Sequence, residues 1–194
     1  MPSLGRVRRL GRGVRRGTYR HGNVRAAAIA AAYAMLADGG DASLSLRRVA
    51  DALGVAHRSL YNHFADRDAL LNAVATEGFL RLAGILARKR TKAAFVASFA
   101  RFALEHPSLY DVMMSRRHAT LYRTPDLQRA VHAVITEALR LFGRPGRTSA
   151  ENRRAVMKTY ILLHGGITLH RAGILDVAGR HGLVAELARM VEAS

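Results

Sequence analysis

LRRVADALGVAHRSLYNH, residues 46–63, carries the strongest structural signal in the chain. Leu46, Val49, Ala50 and Leu53 recur at i, i+3, i+4 and i+7, the spacing of one apolar face on a short helix. Gly54 follows at once, at a point where the chain must turn sharply and a Cβ is costly. Val55, Leu60 and Phe64 then mark a second short apolar face, and small Ala50 allows the two helices to cross closely. The stretch reads as a helix-turn-helix, too small to bury a core of its own. Such a unit holds its second helix out from the body, where the polar side can enter a DNA major groove. That side carries His57, Arg58, Ser59, Tyr61, Asn62 and His63. The rival reading is an ordinary pair of core helices.

Every neighbouring segment also has helical punctuation. Asn23 is a good N-cap for a first helix through VRAAAIAAAYAMLA that stops at Gly39-Gly40, with Ile29, Tyr33 and Leu36 on its buried side. Ser43 or Ser45 caps the second helix, Ser45 being the better placed. The third covers roughly 56–63, and Asp66 caps a fourth that runs to about Arg88. Phe95, Phe99, Phe102 and Ala103 lie at helical spacing over 91–106. Pro107 stops that stretch and opens a short helix carrying Leu109, Tyr110, Met113 and Met114. A polar link with Arg116, Arg117 and His118 follows, then a helix from Pro125 to about Phe142. After the break GRPGRTS a long helix spans about 150–172, and a last one starts at Asp176 or Gly182 and ends at Ala193. No segment alternates as a strand does, so the expected class is all-α.

Composition narrows the function. The chain has 194 residues and no cysteine, which excludes disulfides, thiolate zinc sites and cysteine nucleophiles. Its 31 Lys and Arg against 14 Asp and Glu give a formal net charge of +17, which favours a polyanionic partner. Lys89, Lys92 and Lys158 are the only lysines; GC-rich coding explains arginine in place of lysine, but not the excess of bases over acids. The longest apolar runs are read as far shorter than a membrane span, so no membrane partner is expected. No apolar core follows the basic start, as a secretory signal requires. Residues 1–20 read as a basic arm: Arg6, Arg8, Arg9, Arg12, Arg15, Arg16 and Arg20 alternate with glycines, and there is too little apolar surface to pack. The arm either follows DNA phosphates or a minor groove, or is a solvated tail. His164 and His170 lie six apart, not at the spacing that puts two ligands on one helix face, so no metal is expected. Asp111, His106 and His118 are close in sequence, but no nucleophile accompanies them; neither an enzyme nor a cofactor is expected.

From about Tyr19 to Leu82 the chain resembles the TetR family of bacterial transcriptional regulators. The carrying residues are YRHGNVR at the start of the first helix, SLRRVADALGV, and SLYNHFADRDALL, in which LY-x-HF, the short Asp-Arg step and the Leu pair are the specific signal. FALEHPSLYDVMM and LLHGGITLHRAG are similar to a subgroup named for a Trp-His-Gly signature. Here TYILLHGG stands in that region, so Tyr160 or Ile161 lies near the place of the Trp. The resemblance implies a helix-turn-helix domain over 21–66 and a helical ligand-binding and dimerisation domain over 67–194. It implies a cytoplasmic homodimer, associated with the nucleoid when on double-stranded DNA, that represses transcription at a palindromic operator. A small effector then alters the spacing of the two reading heads. The alternative is a DNA-binding protein without an effector.

Residue roles follow from the same motifs. Ser45 and Arg47 are expected at the DNA backbone, where free N–H groups and a guanidinium favour phosphate. His57, Arg58 and Ser59 are expected at base edges, with Arg58 either bidentate to a guanine or on a phosphate. Tyr61 and His63 match backbone-gripping positions, with packing against the first helix as the rival for Tyr61. Arg67 matches a phosphate contact and is otherwise a solvated charge. An apolar or aromatic effector is expected among Phe99, Phe102, Tyr110, Met113, Met114, Tyr122, Tyr160 and His164, although core packing gives the same aromatic spacing. Ile161, Ile167, Leu169, Leu183, Leu187 and Met190 are candidates either for a dimer four-helix bundle or for closing the domain core.

Overall fold

A computed structural model describes residues 23–39 and 44–192. The basic arm, Gly40 and the alternative cap Ser43 lie outside these residues. The described residues form ten helices and no strand: α1 (Val24–Gly39), α2 (Leu46–Leu53), α3 (His57–Tyr61), α4 (Arg67–Ala87), α5 (Lys92–Glu105), α6 (Pro107–Met114), α7 (His118–Arg123), α8 (Pro125–Phe142), α9 (Ser149–Arg171) and α10 (Gly179–Glu192).

Local chemistry sets most of these boundaries. Asn23 Oδ1 accepts from the Ala26 N–H at 3.2 Å at the start of α1. Ser45, Asp66 and Thr91 cap α2, α4 and α5, each accepting from the N–H three residues on. Thr148 and Glu151 form a capping box on α9, in which each side chain accepts from the other's backbone N–H. Pro107 and Pro125 open α6 and α8, where a missing N–H costs nothing. Gly54 ends α2 at φ 64° and ψ 29°, in the left-handed region. The C-terminal end of α4 is closed by Arg140 of α8, whose Nη2 donates to the carbonyl of Lys89 at 2.9 Å and lies 3.4 Å from those of Leu86 and Ala87.

The link after α6 departs from the expectation. It holds α7, a six-residue helix with no side-chain cap at Arg117, so no local signal announced it. α1 also turns differently. Its buried stripe is Val24, Ala28, Ala32 and Leu36, whereas Ile29 and Tyr33 are only partly covered. Alanines serve because α1 packs closely on α2, α3 and α4.

α4 is the axis of the molecule. It packs along α8, touches α1, α5 and α6, and buries Leu70, Leu71, Val74, Ala75, Phe79, Leu82 and Leu86. By length and composition it could cross a membrane, contrary to the expectation that every apolar run is too short. Here those apolar side chains form the protein core instead. α6 approaches so closely at Gly78 that a Cβ there would sit 2.7 Å from Met113 Sδ and 3.3 Å from Leu109 Cδ1. α10 lies along α5 and α9, where Ile167, Leu183 and Leu187 are buried within the protomer; Ile161, Leu169 and Met190 stay exposed.

Because Ser45 satisfies an otherwise open N–H at the start of α2, Ser45→Ala should lower stability by about 1 kcal/mol. Chemical denaturation of the two proteins side by side checks this. An unchanged midpoint and slope would mean that the cap contributes nothing.

Candidate functional site

α2, the Gly54 turn and α3 form one small body. Val55 N–H donates to the Ala50 carbonyl at 3.1 Å, locking the turn, and Leu46, Val49, Ala50, Leu60 and Phe64 are buried. Burial of these residues leaves Arg47, Arg48, His57, Arg58, Asn62 and His63 exposed, with Ser45 and Ser59 half-buried. Tyr61 is 56 % exposed on α3. The nine residues set out for DNA are thus gathered on and beside this body, with Asn62 and His63 in the turn after α3.

Three details were not legible in the sequence. His57 Nε2 pairs with Asp51 Oδ1 at 2.8 Å, across the turn from α2. Both groups are well exposed, so the pair adds little stability; its effect is to aim the imidazole back at α2. Arg67 Nε donates to the Leu44 carbonyl at 2.9 Å, fastening the first turn of α4 to the chain entering α2. Arg25 lies over the Phe64 ring at 5.6 Å, a cation–π contact that sets another exposed cation beside the motif.

The second feature is a cavity of about 250 Å³. It is lined by Phe79 of α4, Phe99 of α5, Met113 and Met114 of α6, Leu121 of α7, Val131, Val134 and Ile135 of α8, Tyr160 of α9, and Arg116. Apolar walls with few polar groups suit a small organic molecule. A larger groove of about 500 Å³ lies between α1, α4 and α8, but Arg25, Glu77, Asp126 and Arg129 give its walls a charged character.

Of the eight residues expected at a ligand, Phe99, Met113, Met114 and Tyr160 line the cavity. Tyr110 and His164 lie behind it. The Tyr110 hydroxyl and His164 Nδ1 share a hydrogen bond of 2.9 Å, and Tyr160 stacks on His164 with centroids 5.8 Å apart and the rings inclined by 14°. Tyr160 donates to Met114 Sδ at 3.1 Å. Burial holds both phenols above the ordinary tyrosine range, so they remain protonated donors. Phe102 is core, edge-on to the His106 ring. Tyr122 does not reach the cavity: it is 68 % exposed on α7. Sequence reading missed Phe79, Arg116, Leu121, Val131, Val134 and Ile135. Val131, Val134 and Ile135 share one face of α8, and only the tertiary packing shows what that face encloses.

Among the described residues, no three His, Cys, Asp or Glu side chains lie together as a metal site would need. α6 and α9 are joined below the cavity by a bidentate pair, with Arg171 donating to Asp111 at 2.5 and 2.7 Å.

Comparison with known proteins agrees with this two-part layout. Residues 28–74 match the family model of bacterial regulatory proteins of the tetR family, and residues 93–193 match that of a tetracyclin repressor-like C-terminal domain. A protein of unknown function from Rhodococcus sp. RHA1 shares 31% identity over 90% of this chain and 96% of its own, with a TM-score of 0.70. A TetR transcriptional regulator from the same organism is 18% identical over 88% of this chain and 94% of its own, with a TM-score of 0.64. LfrR from Mycobacterium smegmatis, solved in complex with proflavine, is 17% identical over 88% of this chain and 94% of its own, with a TM-score of 0.55.

Proposed function

This chain belongs to the TetR family of bacterial regulatory proteins, and we propose that it is a repressor that binds a palindromic operator as a homodimer and leaves it when a small molecule enters the α4–α9 cavity. One observation carries the reading. The same helix, α4, holds the reading head at its first turn and a wall of the cavity at Phe79. Arg67 and Phe79 are about 18 Å apart along that helix at 1.5 Å per residue. A ligand that displaces Phe79 therefore moves the base of the reading head. It changes DNA affinity only if it binds the DNA-competent and released forms unequally. That LfrR has been solved with proflavine supports a small-molecule ligand for this fold.

The dimer is supported by α9. Met157, Ile161 and Leu169 are exposed, and Ile174 follows the helix end. An apolar stripe of this kind is the usual mark of a contact between copies. Footprinting the protein on genomic DNA tests the reading. The expected protection is an inverted repeat with half-sites one helical turn, about 34–36 Å, or a simple multiple apart. Protection without two-fold symmetry would contradict it.

Deleting residues 1–17 should leave thermal unfolding unchanged, because ten of these 17 residues are Arg or Gly. DNA affinity should fall and its salt dependence become shallower, by roughly 0.9 in the log–log slope for each phosphate the arm had neutralised. An unchanged slope would make the arm a solvated tail.

A further inference from the structure

Among the described residues, Arg116 is the one ionic side chain in the wall of an otherwise apolar cavity. Its side chain is only 13 % exposed. Nε donates to the Val112 carbonyl at 3.2 Å and Nη2 to Ser115 Oγ at 2.9 Å, so the guanidinium is anchored at the end of α6. Nη1 reaches across to α4, to Asp68 Oδ1 at 3.4 Å and Asn72 Oδ1 at 3.3 Å. These two bonds are long. Asp68 is also 76 % exposed, so water screens its charge and it neutralises Arg116 poorly. A covered cation beside apolar walls favours an anion that can lose its water, and the fork of a guanidinium matches a carboxylate in bidentate fashion.

We propose that the cavity takes an amphipathic acid, an apolar or aromatic body bearing one carboxylate, and that Arg116 binds that carboxylate while releasing Asp68 and Asn72. The inference rests on the cavity being the effector site. It also supplies the direction of the switch. Asp68 and Asn72 lie on the first two turns of α4, directly after the Arg67 that fastens the reading head. Arg116 ties these turns to α6; with the acid bound, the tie is exchanged for a bond to the ligand. The start of α4 is then free to move, and the two events oppose one another. By reciprocity, operator DNA must weaken the acid by the same factor as the acid weakens DNA. Neutral analogues enter the apolar part of the cavity but leave the Arg116 tie in place. Cations meet a like charge.

Calorimetry on the full-length protein tests this with octanoate and naphthoate against octanamide and naphthamide. The acids should bind at least tenfold tighter than their amides. Arg116→Gln should remove that preference. Asp68→Asn, at an exposed position, should tighten the acids severalfold and leave the amides unchanged, because it removes the competitor for the guanidinium. Val134→Trp fills the cavity and should abolish acid and amide binding alike. Equal affinity of acid and amide, with both lost in Val134→Trp, would overturn the role of Arg116 and leave the cavity as the effector site. Binding that survives Val134→Trp would overturn the cavity reading and the proposal with it. Failure of every acid to bind would also overturn the proposal.

Discussion

Ile161→Arg is expected to give a folded monomer that has lost about 10²–10⁴-fold in operator affinity. Ile161 is 62 % exposed in the middle of α9, so an arginine there reaches water in the free protomer at little cost to the fold. Met157 and Leu169 flank it on the same helix and are exposed as well. Around a two-fold axis the patch meets its own copy, so one substitution places two unpaired cations in an apolar contact. Burying either without a partner costs several kcal/mol. Loss of the dimer then removes the linkage between the two reading heads, whose joint binding exceeds that of one head by about the stated factor. Sedimentation of the variant and an operator titration check both parts. A variant that remains dimeric would place the interface elsewhere.

Arg58→Ala is expected to cost about 1–3 kcal/mol per half-site, roughly twice that for a two-fold operator, and to relax discrimination at one base position. Arg58 is exposed on α3, next to half-buried Ser59 and one residue after the His57 that pairs with Asp51. Arg67→Ala should act differently. Because Arg67 Nε bonds the Leu44 carbonyl, its loss should lower stability and weaken all DNA sequences alike. Binding across single-base operator variants, read together with thermal unfolding, separates the two. Uniform weakening by Arg58→Ala would move that residue from a base edge to a phosphate.

The sequence was most legible where the cause of structure is local. Ser45 and Asp66 accept from N–H groups three residues away, and Gly54 needs only its own backbone freedom; these positions mark helix ends without knowledge of the rest of the fold. The helix-turn-helix was readable for the same reason, since its apolar positions all fall within one short stretch. α7 was not, because it is six residues long and lacks a side-chain cap. The cavity was only half legible. Aromatic spacing pointed to Phe99, Met113, Met114 and Tyr160. The same criterion also chose Phe102, which is core, and Tyr122, which is turned outward on α7. Arg116 stood only as part of a polar link in the sequence, because its meaning lies in partners far away along the chain, Asp68 and Asn72, which the α4–α6 packing brings to it. The α9–α10 residues divided on similar grounds. Ile161 and Ile167 look alike in sequence, but the approach of α10 covers Ile167 and leaves Ile161 bare.

Sequence-specific binding of DNA by a dimer can be decided by a single titration. The inverted repeat recovered by footprinting is compared with a scrambled duplex of the same length and composition, at physiological salt, with the mass of each complex recorded. The expected result is a preference of at least about 10³-fold for the repeat, with two protomers on each operator. Equal affinity for the two duplexes would contradict it, leaving only the non-specific attraction that a net charge of +17 supplies by itself.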